Sequence, residues 1–130
     1  MRHVKYGRCV KCGKTYEAVP DLTTCECGGI LDIVYDYDYI KSVFTKETLK
    51  NRQNFTMWRY RELLPVEDTT PDPPLRVGWS PLYAADRLAE QLGIAKLYVK
   101  DDGLNPTASL KDRASAGAVA KAREAGAKVI

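Results

Sequence analysis

Two groups of residues in this 130-residue chain have the types and spacing needed for chemistry: one lysine and four cysteines. Lys111 follows the polar stretch "GLNPTAS" (103–109) and begins a helix-like run of small residues. A helix N-terminus disfavours an ammonium, burial would lower the lysine pKa further, and a neutral amine is what Schiff-base chemistry requires. Composition alone, however, favours the alternative of a solvated lysine in an alanine-rich helix.

The residues around Lys111 predict how the helix begins. Ser109 is a good N-cap, and Asp112 three residues later completes an S-x-x-D capping box. Lys111 then occupies the second helical position. The Asn105-Pro106 pair predicts an extended turn before the helix. The small residues that follow Lys111 would let the helix backbone lie close to a sheet or to a flat ligand.

The four cysteines form two closely spaced pairs near the N-terminus. Cys9 and Cys12 form C-x-x-C followed by glycine, and Cys25 and Cys27 form C-x-C followed by two glycines. Two such turns provide four thiolates for a closed, tetrahedral zinc site of structural character. The C-x-C spacing is tighter than the common zinc-ribbon pattern, so four reduced thiols or a disulfide in a metal-free ribbon remain alternatives. The single histidine, His3, lacks ligand spacing and is predicted to lie on the surface.

Three regions must position these residues, and the first two precede the lysine. Residues 1–38 are predicted to form a zinc-ribbon-like β module, which has too little apolar mass for a core of its own and therefore needs a staple such as a metal or a disulfide. Residues 39–70 read as a helical connector and a proline-rich linker. Five of the seven prolines lie between Pro65 and Pro81.

Residues 71–130 change to an α/β pattern. "AADRLAEQLG" (84–93) predicts an amphipathic helix with Leu88 and Leu92 on its inner side. A strand follows in "AKLYVKDD" (95–102), then the lysine helix, then a second strand in "AKVI" (127–130). A strand, helix and strand in this order predict a parallel, right-handed βαβ unit. Because the sequence ends in a predicted core strand, we expect the chain to be a fragment of a longer protein.

Composition and charge exclude several classes of protein. Apolar residues make up 45% and charged residues 28%, which is ordinary for a globular domain. The net charge of +3 is not concentrated in any segment as in a nucleic-acid-binding arm, so no nucleic-acid partner is predicted. No apolar run is long enough to span a membrane, and the N-terminal segment is too polar for a signal peptide. We therefore expect a cytoplasmic protein.

Two motifs carry a resemblance to a known family. "NPTASLKDRA" (105–114) resembles the lysine motif N-P-T-x-S-x-K-D-R of fold-type II pyridoxal-phosphate enzymes. Ala108 stands where glycine is common and Leu110 where phenylalanine is common. Upstream, "GWSPL" (78–82) is similar to the G-x-T-P-L segment of that family, with Ser80 in place of threonine. With the cysteine module in front of both motifs, the resemblance covers the whole chain in order.

The resemblance implies a fold, a reaction and a cofactor. Residues 71–130 would begin a fold-type II domain, and Lys111 would carry pyridoxal 5'-phosphate and move protons at the substrate carbons. The cysteine module favours the member that converts O-phospho-L-homoserine and water to L-threonine and phosphate, a homodimeric lyase of amino-acid biosynthesis. A dehydratase, a cysteine synthase-like enzyme and a non-enzymatic zinc-ribbon adaptor remain alternatives. Asp112 and Arg113 are predicted to be a structural pair.

The family also places site segments beyond this sequence. A Ser/Thr-Gly-Asn segment beside the cofactor ring and a glycine-rich phosphate cradle are both missing from the 130 residues. The chain alone is therefore expected to be inactive. We expect it to bind pyridoxal phosphate weakly, or only by nonspecific reaction with amines.

Overall fold

The cysteines lie on a small antiparallel sheet in a computed structural model that describes all 130 residues. The sheet order is β2-β1-β3, with strands β1 (Val4–Cys9), β2 (Thr15–Tyr16) and β3 (Leu31–Tyr35). The long pairing of β1 with β3 places Cys9 opposite Leu31 and Gly7 opposite Ile33. A β-sheet therefore lies within residues 1–38, where a β module is predicted.

Three short helices follow the sheet. They are α1 (Tyr37–Val43), α2 (Lys46–Asn51) and a 3-10 helix (Met57–Leu63). Residues 39–53, which the pattern predicts as one helical piece, divide because the side chains of Thr45 and Thr48 cap α2 reciprocally. A capping box of this kind fixes a helix start and so separates α2 from the helix before it.

The main hydrophobic cluster joins this connector to the lysine helix, α4 (Asp112–Glu124). Its buried members are Met57, Trp58, Val66, Val77, Ala116 and Ala120. The two alanines bring the α4 backbone close to the large side chains of the 3-10 helix. The small residues of α4 are therefore used for packing against the connector.

The predicted parallel βαβ unit is wrong for this structure, although the mixed α/β class is confirmed. Strand β4 (Leu82–Ala84) precedes α3 (Asp86–Leu92), and strand β5 (Tyr98–Lys100) follows it. These two strands pair antiparallel with each other. Residues 127–130 form no strand, because a strand needs a hydrogen-bonding neighbour and none lies beside them; Val129 is 87% exposed.

Two predictions of burial are also wrong. Leu88 and Leu92 of α3 are exposed, and only Ala89 of that helix is buried, because no other element covers their side. His3 is 1% exposed rather than on the surface. Its Nε2 lies 2.8 Å from the Leu64 carbonyl oxygen, and this hydrogen bond makes burial of the ring tolerable. No helix in the structure combines the length and apolar character that crossing a membrane requires.

Candidate functional site

The four predicted cysteine ligands meet at one point. All four Sγ atoms lie within 4.8 Å of one another. Cys9 Sγ is 3.5 Å from Cys27 Sγ, and Cys12 Sγ is 3.6 Å from Cys25 Sγ. A tetrahedral zinc with Zn–S bonds of about 2.3 Å would separate its sulfur ligands by roughly 3.8 Å. The cluster therefore fits a zinc ion, and none of the four thiols is tied up in a disulfide.

The turns beside the cysteines point backbone N–H groups at the sulfurs and keep one position next to them free of a side chain. The N–H groups of Lys11 and Cys12 donate to Cys9 Sγ at 3.4 and 3.5 Å. Gly29 lies so close that a Cβ atom there would be 2.5 Å from Cys9 Sγ. Only glycine allows this approach, so Gly29, the second glycine after C-x-C, is part of the site.

The surroundings of two thiols favour the thiolate, which is the form that binds metal. The Cys12 backbone N–H is the largest of the influences that lower the pKa of Cys9 to about 6. The Tyr16 hydroxyl, 3.0 Å from Cys25 Sγ, does most to lower the pKa of Cys25. Tyr16 comes from β2, and sequence spacing gave no sign that it reaches the cluster.

The start of the lysine helix is built differently from the predicted capping box. Helix α4 begins at Asp112 with Lys111 at the N-cap position, so the predicted placement of Ser109 at the N-cap and Lys111 at the second helical position is wrong. Ser109 Oγ accepts the Lys111 N–H at 3.1 Å within the turn that precedes the helix. Asp112, however, does not reach back to Ser109. Its carboxylate accepts the Thr107 N–H at 2.8 Å and the Thr107 hydroxyl. Ala108, at φ 56°, reverses the loop and brings Thr107 over the helix start.

An ion pair joins this helix start to the loop before it. Arg113 Nε and Nη2 donate to the two carboxylate oxygens of Asp102 at 2.7 and 2.8 Å. The predicted pair of Asp112 with Arg113 is therefore wrong. Neighbouring residues in a first helical turn point in different directions, and each of these two finds a partner in the preceding loop. The Arg113 guanidinium, with the Ser80 hydroxyl, holds the pKa of Asp102 well below its usual range.

The "GWSPL" segment joins the same network. The Ser80 hydroxyl donates to the Asp102 carboxylate, and Lys100 Nζ donates to the Ser80 carbonyl. The Gly78 N–H donates to Asn105 Oδ1 at 2.9 Å, while the Asn105 amide donates to the Asp102 carbonyl at 2.9 Å. The two motifs that sequence reading separates by more than twenty residues are thus one hydrogen-bonded unit.

A buried arginine supports this unit from the connector. The Arg59 guanidinium carbon lies 4.4 Å from the ring centroid of Trp79, whose backbone has a φ of 54°. Arg59 Nη2 also donates to the Leu49 carbonyl at 3.0 Å. A cation over an aromatic face is attractive, so Arg59 stabilises a turn that a bulky residue adopts at some cost. Sequence reasoning missed this residue, and only contacts distant in sequence reveal it.

The Lys111 side chain is exposed, and its Nζ forms no hydrogen bond or ion pair within the chain. It lines a cavity of about 380 Å³, together with Thr107, Ser115 and Val77. Two other lysines line cavities of similar or larger size, but Lys100 donates to Ser80 and Lys121 to Glu124. Lys111 is therefore the lysine among these three whose amine has no partner within the chain.

Comparison with known proteins shows what this part of the chain is similar to. Residues 74–130 match the family described as pyridoxal-phosphate dependent enzyme. The match contains both motifs and the whole network around Asp102. No solved structure matches the chain.

Over its whole length the chain is similar to threonine synthases. It is 47% identical to that of Methanocaldococcus jannaschii over 123 residues, which cover 95% of this chain and 30% of the relative. It is 44% identical to that of Methanosarcina acetivorans over 131 residues, covering 100% and 30%. The threonine synthase of Synechocystis sp. is 49% identical over 72 residues, covering 55% and 19%. The chain thus spans about 30% of the length of the Methanocaldococcus and Methanosarcina threonine synthases. The predicted resemblance is confirmed.

Proposed function

We propose that this chain is the lysine-bearing part of a threonine synthase, a lyase that converts O-phospho-L-homoserine and water to L-threonine and phosphate. The observation that carries the proposal is similarity to threonine synthases along the whole chain. The free amine of Lys111 beside a cavity supports it independently.

The residues present fit pyridoxal 5'-phosphate through one covalent contact. Lys111 Nζ would hold the cofactor, which supplies an electron sink when bound. The same amine would then take and return protons at the substrate carbons, as a general acid and base. Ser109 and the Thr107–Asp112 contacts fix the backbone from which that amine projects.

We further propose that Cys9, Cys12, Cys25 and Cys27 hold one zinc ion. The support is the distance between sulfurs and the backbone donors directed at Cys9. Four sulfur ligands leave no open coordination position, so the role of the metal is structural. The expected homodimer, cytoplasmic location and lack of a nucleic-acid partner stay predictions.

The lysine assignment is tested by trapping. The chain is mixed with less than one equivalent of pyridoxal phosphate, reduced with borohydride and mapped by peptide mass spectrometry. The sequence predicts that the chain binds pyridoxal phosphate either weakly or only by nonspecific reaction with amines. The cavity beside Lys111 favours weak binding at that residue. Lys96, an exposed lysine in the same part of the chain, is the internal reference.

We expect the modification at Lys111 to exceed that at Lys96 by about tenfold, since the cavity beside Lys111 can hold the reagent next to the amine. Lys111→Arg, which keeps the charge, should abolish that site and leave Lys96 unchanged. Equal modification of the two lysines would contradict the assignment. Phosphate release from O-phospho-L-homoserine by the chain alone would contradict the expectation that it is inactive.

A further inference from the structure

We propose that Asp102 and Arg113 are positioning residues for Lys111, an inference that rests on the proposed function. Neither side chain touches the Lys111 amine. Arg113 lies two residues after Lys111, in the first turn of α4, and its guanidinium makes a two-pronged contact with Asp102 at 2.7 and 2.8 Å. A paired contact of this kind fixes orientation as well as distance. The pair therefore sets where the first turn of the helix lies.

Asp102 is a rigid anchor because several groups hold it. It begins the short 3-10 helix Asp102–Leu104, and its carbonyl accepts the Asn105 amide. Its carboxylate also accepts the hydroxyl of Ser80, which is a buried residue. A movement of Asp102 would thus disturb the "GWSPL" turn as well as the helix.

The far end of α4 is fastened to a different region. Glu124 accepts the Glu67 backbone N–H at 2.7 Å and the Thr70 hydroxyl. The beginning of the helix is held by the Ser109–Lys111 and Thr107–Asp112 contacts and by the Asp102–Arg113 pair. Loss of the pair would let the Lys111 turn shift while the rest of the helix keeps its packing against Met57 and Trp58.

The pair also matters for charge. A helix N-terminus disfavours a nearby cation, and Arg113 brings a permanent one close to Lys111. Asp102 compensates that charge within the same contact. Removing the Asp102 carboxylate would leave an uncompensated guanidinium in the first turn, whereas replacing it with glutamate keeps the charge.

The test measures the ratio of pyridoxal phosphate trapped at Lys111 to that trapped at Lys96 in the 130-residue chain. We expect the ratio to fall at least fivefold in Asp102→Asn and in Arg113→Gln, since an oriented amine is lost in both. The double variant should fall no further than either single one, because the two residues act through each other. Asp102→Glu should recover part of the ratio.

Glu62→Gln is the matched control. Glu62 forms a similar two-pronged pair with Arg52, of comparable exposure, within the helical connector. Its loss should lower the free energy of unfolding and leave the labelling ratio unchanged. A purely structural role for Asp102 would make the two variants behave alike.

The outcomes separate the two proposals. No preference for Lys111 in the unaltered chain overturns the proposed function itself. A clear preference that persists in folded Asp102→Asn and Arg113→Gln overturns only the positioning role. If both variants fail to fold, Ser80→Ala decides instead, because it removes one hydrogen bond to Asp102 and keeps the ion pair: a lowered ratio supports the role and an unchanged ratio overturns it.

Discussion

The cysteine cluster and the lysine loop differ in how their chemical groups are held. All four cysteines come from residues 9–27, and the backbone donors directed at them come from the same turns. Around Lys111, three segments fix the backbone, yet the amine itself projects without a partner. One region brings four thiols to a single point, whereas the other leaves one amine exposed beside a cavity.

This difference follows from the chemistry of the two ligands. A zinc ion needs four sulfur atoms within a few ångströms, and two tight turns can supply them. A cofactor such as pyridoxal phosphate needs groups around a ring and a phosphate, and these come from several distant segments. A short chain can therefore complete the first kind of site and only begin the second.

The largest effect that we predict is the loss of the β module when zinc is removed. Structural zinc contributes about 10–16 kcal/mol of apparent binding energy in small zinc-dependent modules, so chelation or Cys25→Ser should unfold strands β1 to β3. Elemental analysis should find one zinc per chain, and NMR should show the β-sheet signals disappearing with it. Signals from α4 should persist. A metal-free chain with an intact sheet would contradict the zinc proposal.

A second prediction concerns the turn that supports the lysine loop. Gly78 has a φ of 87°, and a Cβ atom there would lie 2.7 Å from the Met57 backbone nitrogen. Gly78→Ala should lower the free energy of unfolding by about 2–4 kcal/mol, from a left-handed conformation and a backbone clash together. Urea unfolding followed by tryptophan fluorescence measures it.

Gly117→Ala is the control for that change. Gly117 lies within α4, and nothing is within 4 Å of a Cβ atom there. Alanine in a helix interior should therefore stabilise the chain by about 0.5–1 kcal/mol. Neither substitution should alter the zinc content. If Gly78→Ala proved as harmless as Gly117→Ala, the turn would not hold the loop as described.

Sequence reasoning succeeded where the determinants lie close together in the chain. The four cysteines were found from spacing, and their Sγ atoms meet. The strand β3 and the helix α4 follow from local patterns. Each of these depends on residues a few positions apart, so the sequence pattern contains most of the information.

Sequence reasoning failed where contacts link distant segments of the chain. The partner of Arg113 was assigned to its neighbour Asp112, whereas the chain folds back to offer Asp102. His3 was placed on the surface because no spacing reveals a carbonyl sixty-one residues away. The parallel βαβ unit was wrong because residues 127–130 form no strand beside β5, which pairs with β4 instead, and periodicity does not identify a strand's partner. The pairing of strands and the polar contacts between distant segments can be seen only in the folded chain.

A third prediction concerns the effect of low pH on the ion pair between Asp102 and Arg113. The pKa of the Asp102 carboxyl is lower in the folded chain than in the unfolded chain, where it is about 3.9. The carboxylate therefore stabilises the fold fully above the unfolded pKa, and this stabilisation is lost as the pH falls toward the folded pKa. The destabilisation caused by Asp102→Asn should thus be constant between pH 5 and 7 and shrink below about pH 4. Unfolding of the two chains at a series of pH values measures it.

Glu62→Gln should show the same dependence, because Arg52 lowers the pKa of Glu62 in the same direction. The two variants should then differ in lysine labelling and agree in their acid profile. A destabilisation by Asp102→Asn that grows as the pH falls would show that the carboxylate is not held charged by Arg113.

The smallest predicted effect is at Ala108, which has a φ of 56° in the lysine loop. A non-glycine residue pays for a left-handed conformation, and glycine does not, although glycine loses more freedom on folding. Ala108→Gly should therefore raise the free energy of unfolding by no more than about 1 kcal/mol. The labelling ratio of Lys111 to Lys96 should stay within error, because the Thr107–Asp112 contacts remain. A loss of stability would mean that the freedom glycine loses on folding outweighs the relief of the left-handed conformation at Ala108.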